Sequence, residues 1–215
     1  MLAVIYCLVG VFGLLVTAEA LWQAKILKGE NQRKFTHMTV GTFAAFWPWF
    51  ISWRAIQIIA LAMAVVVLIN RSLQVVHIRG IAKNSRESYG DVFLAFGILT
   101  CALLTTNKLF FTLAILNVAL ADGLAAVVGK KFGCHWKYKV FHQAKTVVGS
   151  MAFWFTSLCI FATGLLYAHA TINFFHYAVL ILALPPLLTI VENITGLGMD
   201  NFFIPLVALL ILRAV

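Results

Sequence analysis

The sequence predicts an all-α, polytopic integral membrane protein forming a single domain over residues 1–215, and three observations carry that reading. Of the 215 residues 63% are hydrophobic and only 11% are charged, which is too apolar for a water-soluble chain of this size. Apolar runs close to the ~20 residues needed to cross a bilayer recur along the whole length and leave no space for a separate soluble domain. Lysine and arginine, finally, are confined almost entirely to alternate connections between those runs.

The runs cover about 2–22, 36–53, 55–70, 91–107, 109–128, 151–168, 172–191 and 201–214, which gives about eight transmembrane helices. The third and the last are short, and the breaks at Ser52-Trp53-Arg54 and Asn107-Lys108 are tight, so seven spans is the rival count. Ala18-Glu19-Ala20 has the small-x-small look of a signal cleavage site. No Lys or Arg precedes that run, however, and it continues through Leu21 and Trp22, so it reads as a retained helix.

Of sixteen Lys and Arg residues, all but Arg54, Lys108 and Arg213 fall after the first, third and fifth runs. The positive-inside rule makes that side cytoplasmic and puts both termini outside, in a cell inner membrane. The formal charge of +9 is thereby explained by orientation, and no nucleic-acid partner is implied. The four cysteines show no CxxC spacing, so neither a disulfide framework nor a zinc site is suggested. Cys134, His135 and His142 read as loop residues in preference to a metal set.

Unusual polar sequence collects on the cytoplasmic side of this topology. The stretches ENQRKFTHMTVG (30–41), ADGLAAVVGKKFG (121–133), KTVVGS (145–150) and ENITGLGMDNFFIP (192–205) all lie there, whereas the external connections are short. Helices two, four, six and eight begin on that side, so their unpaired N–H groups and partial positive charge point toward it. Three of those starts carry marked residues: Arg33, Lys34 and His37; Lys145 and Thr146; Asp200 and Asn201. Helix N-termini reinforced by Lys and Arg suit phosphate. The plainer alternative is that Asp200 and Asn201 cap a helix and the cations only set topology.

On a helical wheel at about 100° per residue, Asp122, Ala125, Ala126, Gly129 and Gly133 fall within about 60° of one line. The small residues allow close helix packing. Packing gives no reason for Asp122, because a carboxylate at the edge of hydrocarbon needs a compensating partner or cation. Mg2+, which takes one or two carboxylates together with phosphate oxygens, is one such partner. Glu19, the other acid inside an apolar run, reads as snorkelling or pairing with a lysine such as Lys25. Asn117 and Asn173 are the only hints of deeper polarity, and single asparagines commonly make an interhelical hydrogen bond.

The pattern Asp122, Ala125, Gly129 and Gly133 followed by Lys145, Thr146 and Gly149 resembles the CTP-binding signature of the dolichol kinase and phytol kinase family, membrane enzymes that phosphorylate a lipid alcohol. Arg33-Lys34-x-x-His37 and Gly198-x-Asp200-Asn201 followed by Pro205 are similar to further pieces of the smaller members. The pieces span residues 30 to 205 in the expected order. Val148 stands where the family usually carries Glu, and the spacing from Gly133 to Lys145 is a few residues longer.

The resemblance implies a CTP-dependent kinase acting on a polyprenol, phytol, geranylgeraniol or diacylglycerol at the cytoplasmic membrane face. It implies nucleotide binding by Ala125, Gly129, Lys130, Gly133, Lys145, Thr146 and Gly149 with Arg33 and Lys34, and Mg2+ held by Asp122, Asp200 and Asn201. Asp122 and His37 are the candidate catalytic residues, with His37 as a proton acceptor. Two other readings stand beside this one: a phosphatidate cytidylyltransferase joining CMP to a phospholipid, and a transporter or structural membrane protein. A transporter would place polar residues near the middle of several helices, on both sides of a path.

Overall fold

A computed structural model describes residues 2–27, 29–73, 89–141, 143–167 and 173–214; Arg79, Lys83, Arg86 and His142 lie outside them. Each apolar run becomes a helix: α1 Leu2–Gln23, α2 Glu30–Ala45, α3 Trp53–Leu73, α4 Gly90–Leu104, α5 Lys108–Phe132, α6 Val147–Tyr167, α7 Phe174–Ile194 and α8 Asp200–Ala214. Five of them, α1, α3, α5, α6 and α7, are long and apolar enough to cross a membrane. The others, α2, α4 and α8, have 16, 15 and 15 residues, or roughly 22–24 Å at 1.5 Å per residue, short of the ~30 Å of hydrocarbon.

Two boundaries differ from the sequence reading. The second run, 36–53, is a helix that starts six residues earlier, at Glu30, and stops at Ala45; Trp47–Trp49 then form a 3₁₀ turn. Pro48 lacks a backbone N–H, which disfavours continuing the α-helix. The fifth run extends to Phe132, so its lysines Lys130 and Lys131 complete the last turn of a helix, where cations oppose the dipole favourably. The segment between α5 and α6 is also more than a loop. Strands β1 (Lys137–Val140) and β2 (Gln143–Thr146) pair antiparallel, Tyr138 opposite Lys145, adding one two-stranded hairpin to an otherwise helical chain.

α5 is the central element, with 67% of its spanning window buried against 17–28% for the other four long helices. It runs antiparallel to α2 and is fastened to it at both ends. Thr112 donates to the Ala45 carbonyl at 2.8 Å and accepts from Trp49 Nε1 at 3.1 Å. At the other end His37 and Lys34 reach Val118 and Asp122. Asn117 donates to Ser157 Oγ of α6 at 2.9 Å, the interhelical bond expected of it. Asn173 instead is exposed and caps α7 by accepting from His176 N–H, so it contributes no deep polarity.

Helices α4 and α8 lie side by side in the same direction: Asn201 Nδ2 donates to the Gly90 carbonyl at 2.7 Å, and Gly97 faces Asn201 and Pro205. A Cβ on Gly97 would sit 2.6 Å from the Asn201 backbone oxygen, an obstacle no side-chain rotation removes. Gly97→Val should therefore destabilise the bundle by about 1–3 kcal/mol through overpacking. A lowered unfolding midpoint of the detergent-solubilised protein is the expected result, with Gly13→Ala, at a glycine with open space, unchanged as control.

Candidate active site

The site is built where the starts of α2, α4 and α8 and the strand leading into α6 meet the end of α7. α2 turns polar residues inward: Gln32, Lys34 and His37 are 2%, 8% and 8% exposed. At its rim Arg33 and Glu30 pair at 2.5 Å.

Asp122 is the inner anchor. It ends a five-residue π-helical stretch, Val118–Asp122, inside α5, and ten further helical residues follow it, a depth of about 15 Å from the helix end. Such widened turns recur at functional positions because they displace backbone and side chains from the regular ladder. Here the Val118 carbonyl lies 3.3 Å from His37 Nε2. A carbonyl only accepts, so Nε2 carries the hydrogen in this contact, and in the neutral ring Nδ1 is then the basic nitrogen. Lys34 Nζ donates to Asp122 Oδ2 at 2.5 Å, and His37 Nε2 stands 3.8 Å from the same oxygen.

A second buried pair lies across the site. Lys145, on β2, donates to the Glu192 carboxylate at the end of α7 and, at 2.9 Å, to the Glu192 carbonyl. Glu192 is 4% exposed. Asp200, at the start of α8, interacts electrostatically with Asp122, Lys34, Lys145 and Glu192, so both pairs and this third acid share one field. Three buried acceptors in these elements have no hydrogen-bond partner: Gln32 Oε1, Glu192 Oε2 and Asn201 Oδ1.

Arg33, Lys34, His37, Asp122, Lys145 and Asp200 are thus drawn together from four separate stretches, with Asn201 beside them. The small-residue stripe has a different immediate role. A Cβ on Gly129 would lie 2.6 Å from Thr146 Oγ1, on Gly133 2.6 Å from the same atom, and on Gly149 3.0 Å from the Ala125 carbonyl. The space these glycines leave is filled by Thr146 and by one another, so what they provide is close contact between α5 and the start of α6. Thr146 Oγ1 also accepts from Gly149 N–H at 3.0 Å. Lys130 is exposed and reaches Asn31 at 3.4 Å, at the outer rim.

Glu192 and Gln32 were not singled out by the sequence. Glu192 carried a weaker signal than Asp122: it stands directly after the run 172–191, whereas Asp122 lies inside the run 109–128. With Val148 in the Lys-Thr motif, the carboxylate that meets Lys145 comes from α7.

No three His, Cys, Asp or Glu side chains among the described residues are grouped to hold a metal ion unaided, and Cys134 is an exposed free thiol. Mg2+ carried on phosphate oxygens asks for only one or two carboxylates, and the oxygens of Asp122, Asp200, Glu192 and Asn201, with Glu192 Oε2 and Asn201 Oδ1 unpartnered, fit a cation of that kind. On the outer side of α6 and α7 an open apolar groove of about 430 Å³ runs between Val147, Met151, Trp154, Pro186 and Ile190. Tyr138, Ser150 and Thr189 supply its polar lining, with the Tyr138 and Ser150 hydroxyls 2.5 Å apart and Tyr138 also donating to Asn193 Oδ1.

These features define a helical membrane protein with a buried, lysine- and carboxylate-lined site at one end of the bundle. The chain is 28% identical over 205 residues to the phytol kinase of Synechocystis sp. (strain ATCC 27184 / PCC 6803 / Kazusa), covering 91% of this chain and 84% of that protein. That similarity runs over most of both chains and agrees in kind with the motif resemblance. No protein-family model and no solved structure matches it.

Removing one partner of a buried pair leaves the other uncompensated, at a cost of about 3–5 kcal/mol. Lys34→Met and Asp122→Asn should each lower unfolding stability by about that amount, and the double variant by clearly less than their sum. A double-mutant cycle measured by unfolding in detergent checks this; additive losses would mean that the two side chains are not coupled.

Proposed function

We propose that this protein is a lipid alcohol kinase that transfers the γ-phosphoryl group of CTP to the hydroxyl of a long-chain isoprenoid alcohol at the cytoplasmic face of a cell membrane. The observation that carries the reading is the convergence of Lys34, Lys145 and Arg33 on three acids, inside an apolar bundle that aligns with a phytol kinase over nine-tenths of its length. Phosphoryl transfer demands mainly alignment and charge neutralisation, which this set of residues supplies.

In this mechanism Lys145 and Lys34 take the phosphate oxygens, with Arg33 and Lys130 steadying the nucleotide at the rim. Gly129, Gly133, Gly149, Ala125 and Thr146 hold β2 against α5 so that Lys145 reaches the site. Asp122 with Asp200 and Asn201 would hold Mg2+, which neutralises charge on the phosphates when bound. His37 accepts the hydroxyl proton at Nδ1, the nitrogen left free by its bond to Val118. The apolar groove between α6 and α7 takes the isoprenoid chain, with Tyr138, Ser150 and Thr189 as its polar lining. All eight helices are assigned to the membrane, the three short ones completing the bundle around α5.

The reading is tested with purified protein, an isoprenoid alcohol, and CTP labelled at either the γ- or the α-phosphate. Label should enter lipid from the γ position only; entry from the α position would make the protein a cytidylyltransferase. Asp122→Asn should lower the rate about a hundredfold or more, the scale of a lost charge-stabilising group, and retained turnover would remove Asp122 from the mechanism. Orientation is checked separately. In a Cys159→Ala background the exposed Cys134 should react with a membrane-impermeant maleimide only in inside-out vesicles.

A further inference from the structure

We propose that Glu192 is a second functional carboxylate of the site, and that the Lys34–Asp122 and Lys145–Glu192 pairs exchange partners when nucleotide and divalent cation enter together. The inference rests on the phosphate-site reading above and deepens it.

In the structure each lysine is matched to one carboxylate: Lys34 to Asp122, and Lys145 to Glu192 Oε1. Both carboxylates are buried, 4% exposed each. A polyphosphate entering alone would draw the lysines away and leave Asp122 and Glu192 as uncompensated buried charges. A divalent cation entering alone would do the same to the lysines. Either event incurs the penalty of a broken buried pair. When both enter, the lysines turn to phosphate oxygens and the carboxylates turn to the cation, so every charge regains a partner. Three features of Glu192 suit it to this part. Its Oε2 has no hydrogen-bond partner although it is buried, its field is shared with Asp122 and Lys34, and it comes from α7, independent of the helix that carries Asp122.

The exchange predicts strong coupling between cation and nucleotide. Calorimetric titration of the full-length protein in detergent with the non-transferable β,γ-methylene analogue of CTP should show binding at least tenfold tighter with Mg2+ than in EDTA. Mg2+ titrated without nucleotide should give no saturable binding. In Glu192→Gln, metal-free nucleotide no longer has to break the Lys145 pair and the cation has lost a ligand, so the coupling factor should fall at least fivefold. Glu192→Gln retaining the full coupling would overturn the proposal, as would saturable Mg2+ binding to the nucleotide-free wild type, a measurement that does not depend on a variant folding. Absence of binding by the wild type to the CTP analogue and to the corresponding ATP analogue, each with Mg2+, would instead overturn the phosphate-site reading itself, and this proposal with it.

Discussion

The ion pair between Lys34 and Asp122 constrains the rest of the bundle. A carboxylate some 15 Å down an apolar helix has no water to solvate it, and in such surroundings it persists only with a partner at hydrogen-bond distance. That partner must come from a neighbouring helix, because the residues around Asp122 on α5 itself are alanine, leucine and glycine. α2 therefore has to bring its polar face inward, the reverse of an ordinary lipid-facing helix, and lie antiparallel to α5 in one register. The Thr112–Ala45 and Trp49–Thr112 bonds hold the far end in that register, and His37 on the Val118 carbonyl holds the near end. A one-residue slip of α2 would turn Lys34 away by about 100° and leave both charges buried alone.

The same physics accounts for the second pair. Lys145 enters from a strand and Glu192 from the end of a helix, yet they meet in the interior as Lys34 and Asp122 do. A low-dielectric wall strengthens each of these attractions and also makes each unmatched charge expensive. A region assembled this way is close to neutral while holding several strong charges of both signs. That combination suits a ligand which itself pairs anion with cation, and it suits a simple anion or a simple metal ion poorly.

Much of the site was legible because the hydrocarbon environment makes polar residues conspicuous. Asp122 stood out against its run, and the topology drawn from lysine and arginine placed Arg33, Lys34, Lys145 and Asp200 on one side, where their contacts bring them together. Glu192 was missed because it sits at the border of its run, where an acid passes as a helix end meeting water; only the fold shows it turned inward at 4% exposure. The bounds of α2 were misjudged for a related reason. Hydropathy discards Glu30 to Phe35 as a loop, yet within it Gln32 and Lys34 turn their polarity into the protein interior. The β1–β2 hairpin had no hydrophobic alternation strong enough to read, since its strands are four residues each and half exposed.

The small-residue stripe shows how a packing motif can set the position of a charged side chain. Its spacing admits two uses, close packing of helices or approach of a ligand to backbone. Thr146 occupies the space over Gly129 and Gly133, and Gly149 rests on the Ala125 carbonyl and Gly129. The contact is therefore between the two halves of the motif. Its consequence appears one residue away: with Thr146 seated on α5, Lys145 is carried inward to Glu192 and into the field of Asp122. Any side chain at Gly129 or Gly133 would push β2 outward and take Lys145 with it. The glycines and the charges are then a single requirement, since the lysine can neutralise the site only as long as nothing larger than hydrogen separates its strand from α5.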